Sequence, residues 1–327
     1  TYKEIKGVTI QTLDSDPVLA GAAGGSWASG GSLNNGVVGN CGFGTYTAAV
    51  SVGGYRSTGT TAAVEHYDGS SWTTATSIPA ATDNVGSCGI RTAGLIYGGQ
   101  RPPNTNATFE YDGSNWTAGG DLNTVRRTIV GAGTQTAALA ALGAIDPPFT
   151  AEAEQYNGSS WTTVAEANTA RRSAAGGGTS TSALAYGGYL GPPGYSAATE
   201  SWDGSSWTAV ADISTVRGIM GGGGTSNTDQ LTFGGYGGPP GSQRYTNTQA
   251  WDGTSWTEVA DLSLARSTSN SLPSAPTANQ LFAGGHTPPA NYTTITEEWS
   301  APSTFTKQIE GQLFFNSTAN AFKETIT

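Results

Sequence analysis

The stretch "YDGSSW", from Tyr67 to Trp72, recurs four more times with small changes, and it decides the fold. Each copy sets an aromatic residue and an Asp-Gly or Asn-Gly pair before two small polar residues and a Trp. Asp-Gly favours a tight two-residue hairpin turn, because both residues tolerate positive φ. The motif therefore predicts paired strands with large aromatic rings beside each turn. The other copies are YDGSNW (111–116), YNGSSW (156–161), WDGSSW (202–207) and WDGTSW (251–256).

The Trp residues of this motif are the clearest periodic feature of the chain. They follow one another at intervals of 44 to 49 residues, a length typical of a β-propeller blade. Each unit contains four short runs typical of strands, separated by turn residues, and no run has a helical period. We therefore expect an all-β fold, a six-bladed β-propeller over residues 27–305. The periodic residues are Trp27, Trp72, Trp116, Trp161, Trp207 and Trp256.

The repeat also predicts how the blades fit together. Uniform repetition of the aromatic residues favours packing between neighbouring blades over display at the surface. Gly-rich runs such as 221–224 suit six inner strands that converge on a central channel. The strand around Trp27 is expected to close the ring by completing the last blade, which removes open sheet edges. An imperfect copy of the motif at Phe305 is the other candidate for that position.

A second repeated element carries a family resemblance. Gly-Gly doublets follow an apolar run and precede the aromatic motif at a nearly constant distance. This arrangement resembles the kelch repeat, whose family forms β-propellers. The third blade departs from the pattern, because it has AALGA at 140–144 where the others have the doublet. The doublets lie at 53–54, 98–99, 187–188, 234–235 and 284–285.

Composition narrows the classes of function. The 327-residue chain has 48 Gly, but its nine Trp, thirteen Tyr and nine Phe supply enough apolar surface for a core. A net charge of −10 argues against nucleic-acid binding, and no apolar run reaches the length of a membrane span. Cys41 and Cys88 occupy the same position on successive inner strands, where we expect buried free thiols rather than a disulfide.

The two ends of the chain, residues 1–26 and 306–327, do not repeat and hold all four Lys. The runs GQLFF and AFKETI predict a β-hairpin, which we expect to pack with the N-terminal segment as an assembly module. The segments KGVTIQTLDSDP and EGQLFFNST, together with the Gly-rich repeats, resemble virion proteins of marine tailed bacteriophages, such as tail fibre or decoration proteins. Candidate assembly residues are Phe314, Phe315 and Phe322.

That resemblance implies a structural component of a virus particle, which contacts other virion proteins or copies of itself. The chain begins without the basic and then apolar order of a signal peptide, so we expect synthesis in the host bacterial cytoplasm. Its two His, His66 and His286, do not form a metal-ligand cluster. We therefore expect neither an enzyme nor a metal or other cofactor. Glutamates at 65, 154, 200 and 297 recur at one blade position, which favours a structural role over a catalytic pair.

The loops of one propeller face carry the candidate ligand-binding residues. Five of six loops between second and third strands contain Pro-Pro, which reduces the entropy lost on binding. Tyr and Arg, which these loops also carry, are favoured at recognition surfaces. The alternative function is therefore a receptor-binding module that recognises a host-surface glycan. The candidates are Arg101, Phe149, Tyr189, Tyr195, Tyr236, Arg244, Tyr245 and Tyr292.

A regular Arg series starts the inner strands at the same face. Its regularity favours a structural role, in which the guanidinium groups bind loop carbonyls. A glycan-binding protein should instead concentrate aromatic residues on particular blades, and the loops of the fourth and fifth blades come nearest to this. The series comprises Arg126, Arg171, Arg217 and Arg266.

Overall fold

The computed structural model describes residues 12–13, 25–101, 103–145, 148–192, 194–237, 243–267, 271–287, 292–301, 313–316 and 321–324. Within these ranges the chain is all β and contains no helix. Six antiparallel sheets form the blades of a β-propeller, which confirms the predicted fold class. The inner strands of blades 1 to 5 lie side by side around the centre.

Blades 1 to 5 have four antiparallel strands each, named first to fourth from the centre to the rim. Blade 1 has Cys41–Thr45, Ala48–Val52, Val64–Tyr67 and Trp72–Ala75, and blade 2 has Gly86–Ile90, Ala93–Tyr97, Thr108–Tyr111 and Trp116–Ala118. Blade 3 has Val130–Thr134, Ala137–Ala144, Phe149–Tyr156 and Trp161–Val164. Blade 4 has Ala175–Thr179, Ser182–Tyr186, Thr199–Trp202 and Trp207–Val210, and blade 5 has Gly221–Ser226, Asp229–Phe233, Thr248–Trp251 and Trp256–Val259.

Blade 6 joins the two ends of the repeat. Its described strands are Asn279–Ala283, Thr296–Ser300 and Ser26–Ser29, with the last of these at the rim. Trp27 is paired with Trp299, so a strand from the start of the repeat completes the final blade, as predicted. Phe305, the other candidate for this position, lies outside the described residues.

The prediction of six inner strands is wrong for the described part of blade 6, because residues 271–278 contain no strand. This segment instead reaches blades 4 and 5, where the Pro273 carbonyl accepts hydrogen bonds from the Gly178 and Gly224 amides at 3.1 and 3.3 Å. A Cβ on Gly177 would lie only 2.0 Å from the Pro273 oxygen. The glycines of these inner strands therefore make room for the backbone of blade 6 inside the channel.

The hydrophobic core is divided into six clusters, one at each contact between neighbouring blades. Each periodic Trp donates its indole N–H to the preceding blade or to the turn that leads out of it. Trp161, for example, donates to Thr108 Oγ1 at 3.0 Å and meets Tyr97 edge-on, with ring centroids 4.8 Å apart. The predicted packing of the motif's rings between blades is thus confirmed.

A ring of six backbone hydrogen bonds links each blade to the next. The amide of the second Gly of each doublet donates to the carbonyl of the residue at the Arg-series position of the following blade, at 2.8–3.0 Å. Gly143 takes this role in blade 3, so the AALGA variant keeps the bond, while Leu142 has a φ of 63° where other blades have the first Gly. The donor–acceptor pairs are Gly54–Thr82, Gly99–Arg126, Gly143–Arg171, Gly188–Arg217, Gly235–Arg266 and Gly285–Val37.

The turn of the repeated motif differs from the predicted two-residue turn. Tyr67 pairs with Trp72, so the loop holds four residues, and of the two residues expected at positive φ only Gly69 has it. The Asp68 carboxylate accepts hydrogen bonds at 2.8 Å from the backbone N–H groups two and three residues later. Asp and Asn interchange here because both side chains supply this acceptor. The equivalent acceptors are Asp112, Asn157, Asp203 and Asp252.

Three smaller elements accompany the blades. Two short hairpins follow Gly doublets, Tyr55–Arg56 with Gly59–Thr60 in blade 1 and Tyr236–Gly237 with Gln243–Arg244 in blade 5. A separate three-stranded sheet contains Thr12–Leu13, Leu313–Asn316 and Ala321–Glu324. The middle strand, Leu313–Asn316, is parallel to Thr12–Leu13 and antiparallel to Ala321–Glu324, with Phe315 opposite Phe322.

Candidate functional site

The Arg series at the start of the inner strands is fully buried. Arg126 Nη1 donates to Glu154 Oε1 at 2.8 Å, and its Nη2 donates to the Ala140 carbonyl at 3.2 Å. Glu154 Oε2 also accepts a hydrogen bond from the Asn123 amide at 2.7 Å, which connects blade 3 to the end of blade 2. These contacts agree with a structural role for the Arg series and for the recurring glutamates. The other ion pairs of this kind are Arg171–Glu200 and Arg266–Glu297.

Blade 5 lacks the Arg–Glu pair, because Gln249 stands at the glutamate position. Arg217 instead donates to the carbonyls of Gly234 and Asn247, both at 2.9 Å. Burial lowers the pKa of Arg217 to about 10, which still leaves the side chain charged at neutral pH.

In blade 2 both positions of the pair are replaced. Thr82 takes the Arg position and Phe109 takes the Glu position. The loop residue Arg101 fills the space, because its Nε donates to Thr82 Oγ1 at 2.8 Å and its guanidinium lies 5.5 Å above the Phe109 ring. Arg101, predicted as a ligand-binding residue, therefore makes structural contacts inside its own blade.

Four aromatic rings run in a continuous series across the loop face of blades 3 to 5. Phe149 lies 5.7 Å from Tyr189, measured between ring centroids. Tyr189 lies 5.1 Å from Tyr195, which in turn lies 5.6 Å from Tyr236. All four side chains are partly exposed. We call these four residues the aromatic strip.

Backbone pairing holds the aromatic strip in place. Tyr189 and Arg172 exchange two backbone hydrogen bonds, at 2.7 and 3.1 Å, and Tyr236 and Gly218 exchange two at 2.8 and 2.9 Å. Tyr195 lies over Gly218, where an added Cβ would be 2.9 Å from its ring, so this ring connects blade 4 to blade 5. Burial raises the pKa of Tyr195, so its hydroxyl stays protonated at neutral pH and can both donate and accept hydrogen bonds.

Two guanidinium groups lie on the aromatic strip. Arg172 is 5.2 Å from the centroids of both Phe149 and Tyr189, and Arg244 is 5.3 Å from that of Tyr236. Tyr195 lies between them. Their positive charges oppose the rise in the pKa of Tyr195 that burial causes. Neither guanidinium group forms a hydrogen bond or an ion pair with any residue that the structure describes.

Two exposed apolar side chains border the strip. Leu190, next to Tyr189, is 45% exposed, and Val216, whose carbonyl lies against Gly237, is 51% exposed. Tyr245 packs on the short hairpin of blade 5, since its hydroxyl would lie 2.6 Å from a Cβ on Gly237. The loop face of blades 3 to 5 is therefore an apolar and aromatic surface with two cationic groups.

The structure brings six of the eight predicted ligand-binding residues to blades 3 to 5. Besides Arg101, only Tyr292 lies elsewhere, beside Tyr55 at 6.3 Å between ring centroids. Of the predicted Pro-Pro pairs, only Pro103, Pro148 and Pro192 are among the described residues. The six residues on blades 3 to 5 are Phe149, Tyr189, Tyr195, Tyr236, Arg244 and Tyr245.

Sequence reasoning missed Arg172, Leu190 and Val216. The Arg-Arg doublet at 171–172 could have identified Arg172, because only one residue of such a pair can occupy the buried position of the Arg series. The second Arg then faces outward. The exposed Leu190 and Val216 had no comparable signal, since apolar residues in a repeat protein are first expected in its core.

The central channel holds a cavity of about 130 Å³, lined by inner-strand residues and by Pro273 of blade 6. Cys41 borders it, and both Cys41 and Cys88 are buried and free, as predicted. Burial raises the pKa of Cys41 to about 12, so this thiol is protonated at neutral pH and is a poor nucleophile.

Other titratable groups form no recognisable reactive centre in the described ranges. His66 Nε2 lies 2.9 Å from the Tyr111 hydroxyl of the next blade, and burial lowers its pKa. Groups of three or more His, Cys, Asp or Glu with metal-binding geometry are absent from the described residues. No helix capable of crossing a bilayer occurs in the described part of the chain.

Comparison with known proteins shows the fold alone. No protein-family model and no curated protein matches the sequence. A solved structure described as "Structure of YjhT" superposes with a TM-score of 0.68 at 16% sequence identity, covering 81% of this chain and 95% of that one. At this identity the similarity establishes a common β-propeller architecture and carries no information about a ligand.

Proposed function

We propose that this protein is a non-catalytic binding module whose aromatic strip binds a glycan. The observation that carries the proposal is the concentration of four partly exposed rings on blades 3 to 5, at consecutive distances of 5.1–5.7 Å. Structural aromatic residues repeat in every blade, whereas among the described residues a series of four loop rings occurs only on blades 3 to 5, and blades 6 and 1 have the single pair Tyr292–Tyr55. A blade-specific cluster is the feature that separates a glycan-binding face from the repeated rings of the core.

The physical chemistry of the strip suits saccharides. The apolar faces of sugar rings pack on aromatic faces, and the tyrosine hydroxyls remain available for sugar hydroxyl groups. Pairing of Tyr189 and Tyr236 with the backbone holds their rings before a ligand arrives, which reduces the entropy lost on binding. Leu190 and Val216 extend the apolar surface at its edges.

The setting of this activity is proposed from the sequence resemblance. The terminal segments resemble those of tailed-bacteriophage virion proteins, so the module would be displayed on a virus particle and bind a glycan of the host surface. A second candidate function is assembly within the particle. The observation that favours it is the three-stranded terminal sheet, whose outer strands offer edges for pairing with another chain.

Binding of the purified full chain to an array of neutral and acidic glycans tests the main proposal. Tyr195→Ala and Tyr236→Ala are expected to weaken binding at least ten-fold, because each removes one stacking ring, and circular dichroism is expected to show that both variants stay folded. Tyr55→Ala is the matched control, since Tyr55 also follows a Gly doublet but lies on blade 1 and is 44% exposed. Binding of no glycan, or equal binding by the strip variants and the control, would reject the proposal.

A further inference from the structure

We infer that the glycan bound by the aromatic strip is acidic, and that Arg172 and Arg244 bind its carboxylate or sulfate groups. The inference rests on the proposed function and specifies its ligand class. The two guanidinium groups on the strip have aromatic neighbours but no anionic partner among the described residues.

The other arginines of the chain show how unusual this is. Eight of the ten have a hydrogen-bond or ion-pair partner that the structure describes. Their partners are carboxylates in four cases, and carbonyl, hydroxyl or amide oxygens in the remainder. The eight are Arg56, Arg91, Arg101, Arg126, Arg127, Arg171, Arg217 and Arg266. Of the ten arginine side chains, only those of Arg172 and Arg244 have no hydrogen-bond or ion-pair partner among the described residues.

The geometry leaves the terminal N–H groups of these two arginines available to a ligand. Arg172 lies over Phe149 and Tyr189, and Arg244 lies over Tyr236, at opposite ends of the strip. The Nε of each is buried without a hydrogen-bond partner, and both side chains are partly exposed, so the terminal N–H groups are the ones offered to a ligand. Guanidinium N–H groups match a carboxylate or sulfate in pairs, and the ring beneath holds the cation. An oligosaccharide lying along the four rings would therefore present its anionic groups to both ends.

The charge distribution restricts an anionic ligand to this site. The chain has a net charge of −10, so an acidic polysaccharide is repelled from most of its surface. Two unpaired cations beside exposed aromatic rings create a local site of opposite sign. The electrostatic part of the binding is expected to weaken as ionic strength rises, because the groups are only partly buried.

The test uses saccharides that differ only in charge. The full chain is titrated with β-1,4-mannan and β-1,4-polymannuronate oligomers, and with a neutral galactan and its chemically sulfated derivative. At least one acidic member is expected to bind ten-fold or more tightly than its neutral counterpart, with affinity falling between 50 and 500 mM NaCl. The carboxylated and sulfated arms distinguish which acidic group is preferred.

Substitutions assign the effect to the two arginines. Arg172→Gln and Arg244→Gln together should reduce acidic binding to the level of the neutral saccharide, and Arg172→Lys should retain part of it. Arg127→Gln is the matched control, because Arg127 occupies the same position in blade 3 but is bound to Gln100 at 2.8 Å. It removes the same charge from the same face and is expected to leave acidic binding unchanged.

The outcomes separate this inference from the proposed function. Binding of the neutral members as tightly as the acidic ones, with loss in Tyr195→Ala, would overturn the acidic preference and keep glycan binding. An acidic preference that survives the double Arg substitution would also overturn the inference. Binding of no saccharide in any arm would reject both proposals.

Discussion

Single residues in this repeat change their role when their neighbours change. Glu154 binds a buried arginine in blade 3, whereas blade 2 has Phe109 at the same position. The cation then comes from the loop residue Arg101, which stacks on that ring. Blades 2 and 3 thus each place a guanidinium group beside this position, although it comes from different parts of the repeat. This is why a loop arginine that resembled a ligand-binding residue in sequence is used for structure.

Trp161 illustrates how much one motif residue contributes to stability. Trp161→Ala is expected to lower the free energy of unfolding by about 3–5 kcal/mol, because it leaves a cavity between blades 2 and 3. Trp161→Phe should cost less, about 1–2 kcal/mol, since it keeps a ring against Tyr97 and loses the hydrogen bond to Thr108. Chemical denaturation of both variants measures the difference. A Trp161→Ala protein as stable as the parent would show that the ring is not part of the core.

Backbone strain is a second feature of single residues. Asn84, Thr128, Ser173 and Ile219 precede the inner strands of blades 2 to 5, and all have a φ of 54–55°. Their backbones link neighbouring blades, because Asn84 donates to Gly39, Thr128 to Asn84, and Ile219 to Ser173, each at 2.8 Å. Inter-blade bonding therefore fixes a conformation that a β-branched residue disfavours.

Ile219→Asn is expected to raise the free energy of unfolding by about 1 kcal/mol, because Asn tolerates this backbone conformation and Ile does not. Asn already occupies the equivalent position of blade 2. The reverse change, Asn84→Ile, should lower the stability by at least as much, since it also removes a side-chain hydrogen bond to Asp83. Thermal unfolding of the two variants gives the comparison. Shifts of the same sign in both would contradict the strain argument.

At the scale of the element, the repeated turn depends on an ionised side chain. Hydrogen bonds from backbone N–H groups lower the pKa of Asp68, Asp112 and Asp203, that of Asp203 to about 2. Ser hydroxyls add to this effect at Asp68 and Asp203, and the Asn115 amide adds to it at Asp112. A carboxyl whose pKa is lower in the folded than in the unfolded protein stabilises the fold above the unfolded value, about 4. This stabilisation is lost as the pH falls from about 4 towards 2.

Asp68→Asn, Asp112→Asn and Asp203→Asn, combined in one protein, should flatten the dependence of the melting temperature on pH between 4 and 2. Asn keeps the acceptor that caps the turn, as Asn157 does naturally in blade 3, and it does not titrate. At pH 7 the triple variant is expected to fold normally. A melting temperature that falls as steeply in the variant as in the parent would assign the acid sensitivity to other carboxyl groups.

At the scale of the whole molecule, the sequence predicted the blades and their closure because these follow from a regular period. Trp27 completes blade 6, and the periodic Trp residues pack between blades, as their spacing indicated. The inner segment of blade 6 was missed, because its Pro-containing residues 271–278 bind the inner-strand backbone of blades 4 and 5 instead of forming a strand. The aromatic strip was only partly predicted. Tyr189 and Tyr195 are bridged within one loop of blade 4, whereas Phe149 and Tyr236 become their neighbours only through the packing of successive blades.

The terminal sheet leads to a prediction about assembly. The strand Thr12–Leu13 pairs with Leu313–Asn316, so the two ends of the chain meet in one sheet, whereas the six core clusters are built from the blades. A protein that lacks residues 1–24 and 302–327 keeps the closing strand Ser26–Ser29. We expect it to fold as a β-propeller with nearly unchanged circular dichroism and melting temperature.

The same truncated protein is expected to lose self-association, because an edge strand that could pair with a second chain is no longer present. Light scattering coupled to size exclusion compares the molar masses of the intact and truncated proteins over a range of concentrations. Glycan binding by the truncated protein should persist, since the aromatic strip lies on blades 3 to 5. Equal association of the two proteins would assign assembly to a surface of the propeller, and failure of the truncated chain to fold would show that the terminal sheet supports the blades.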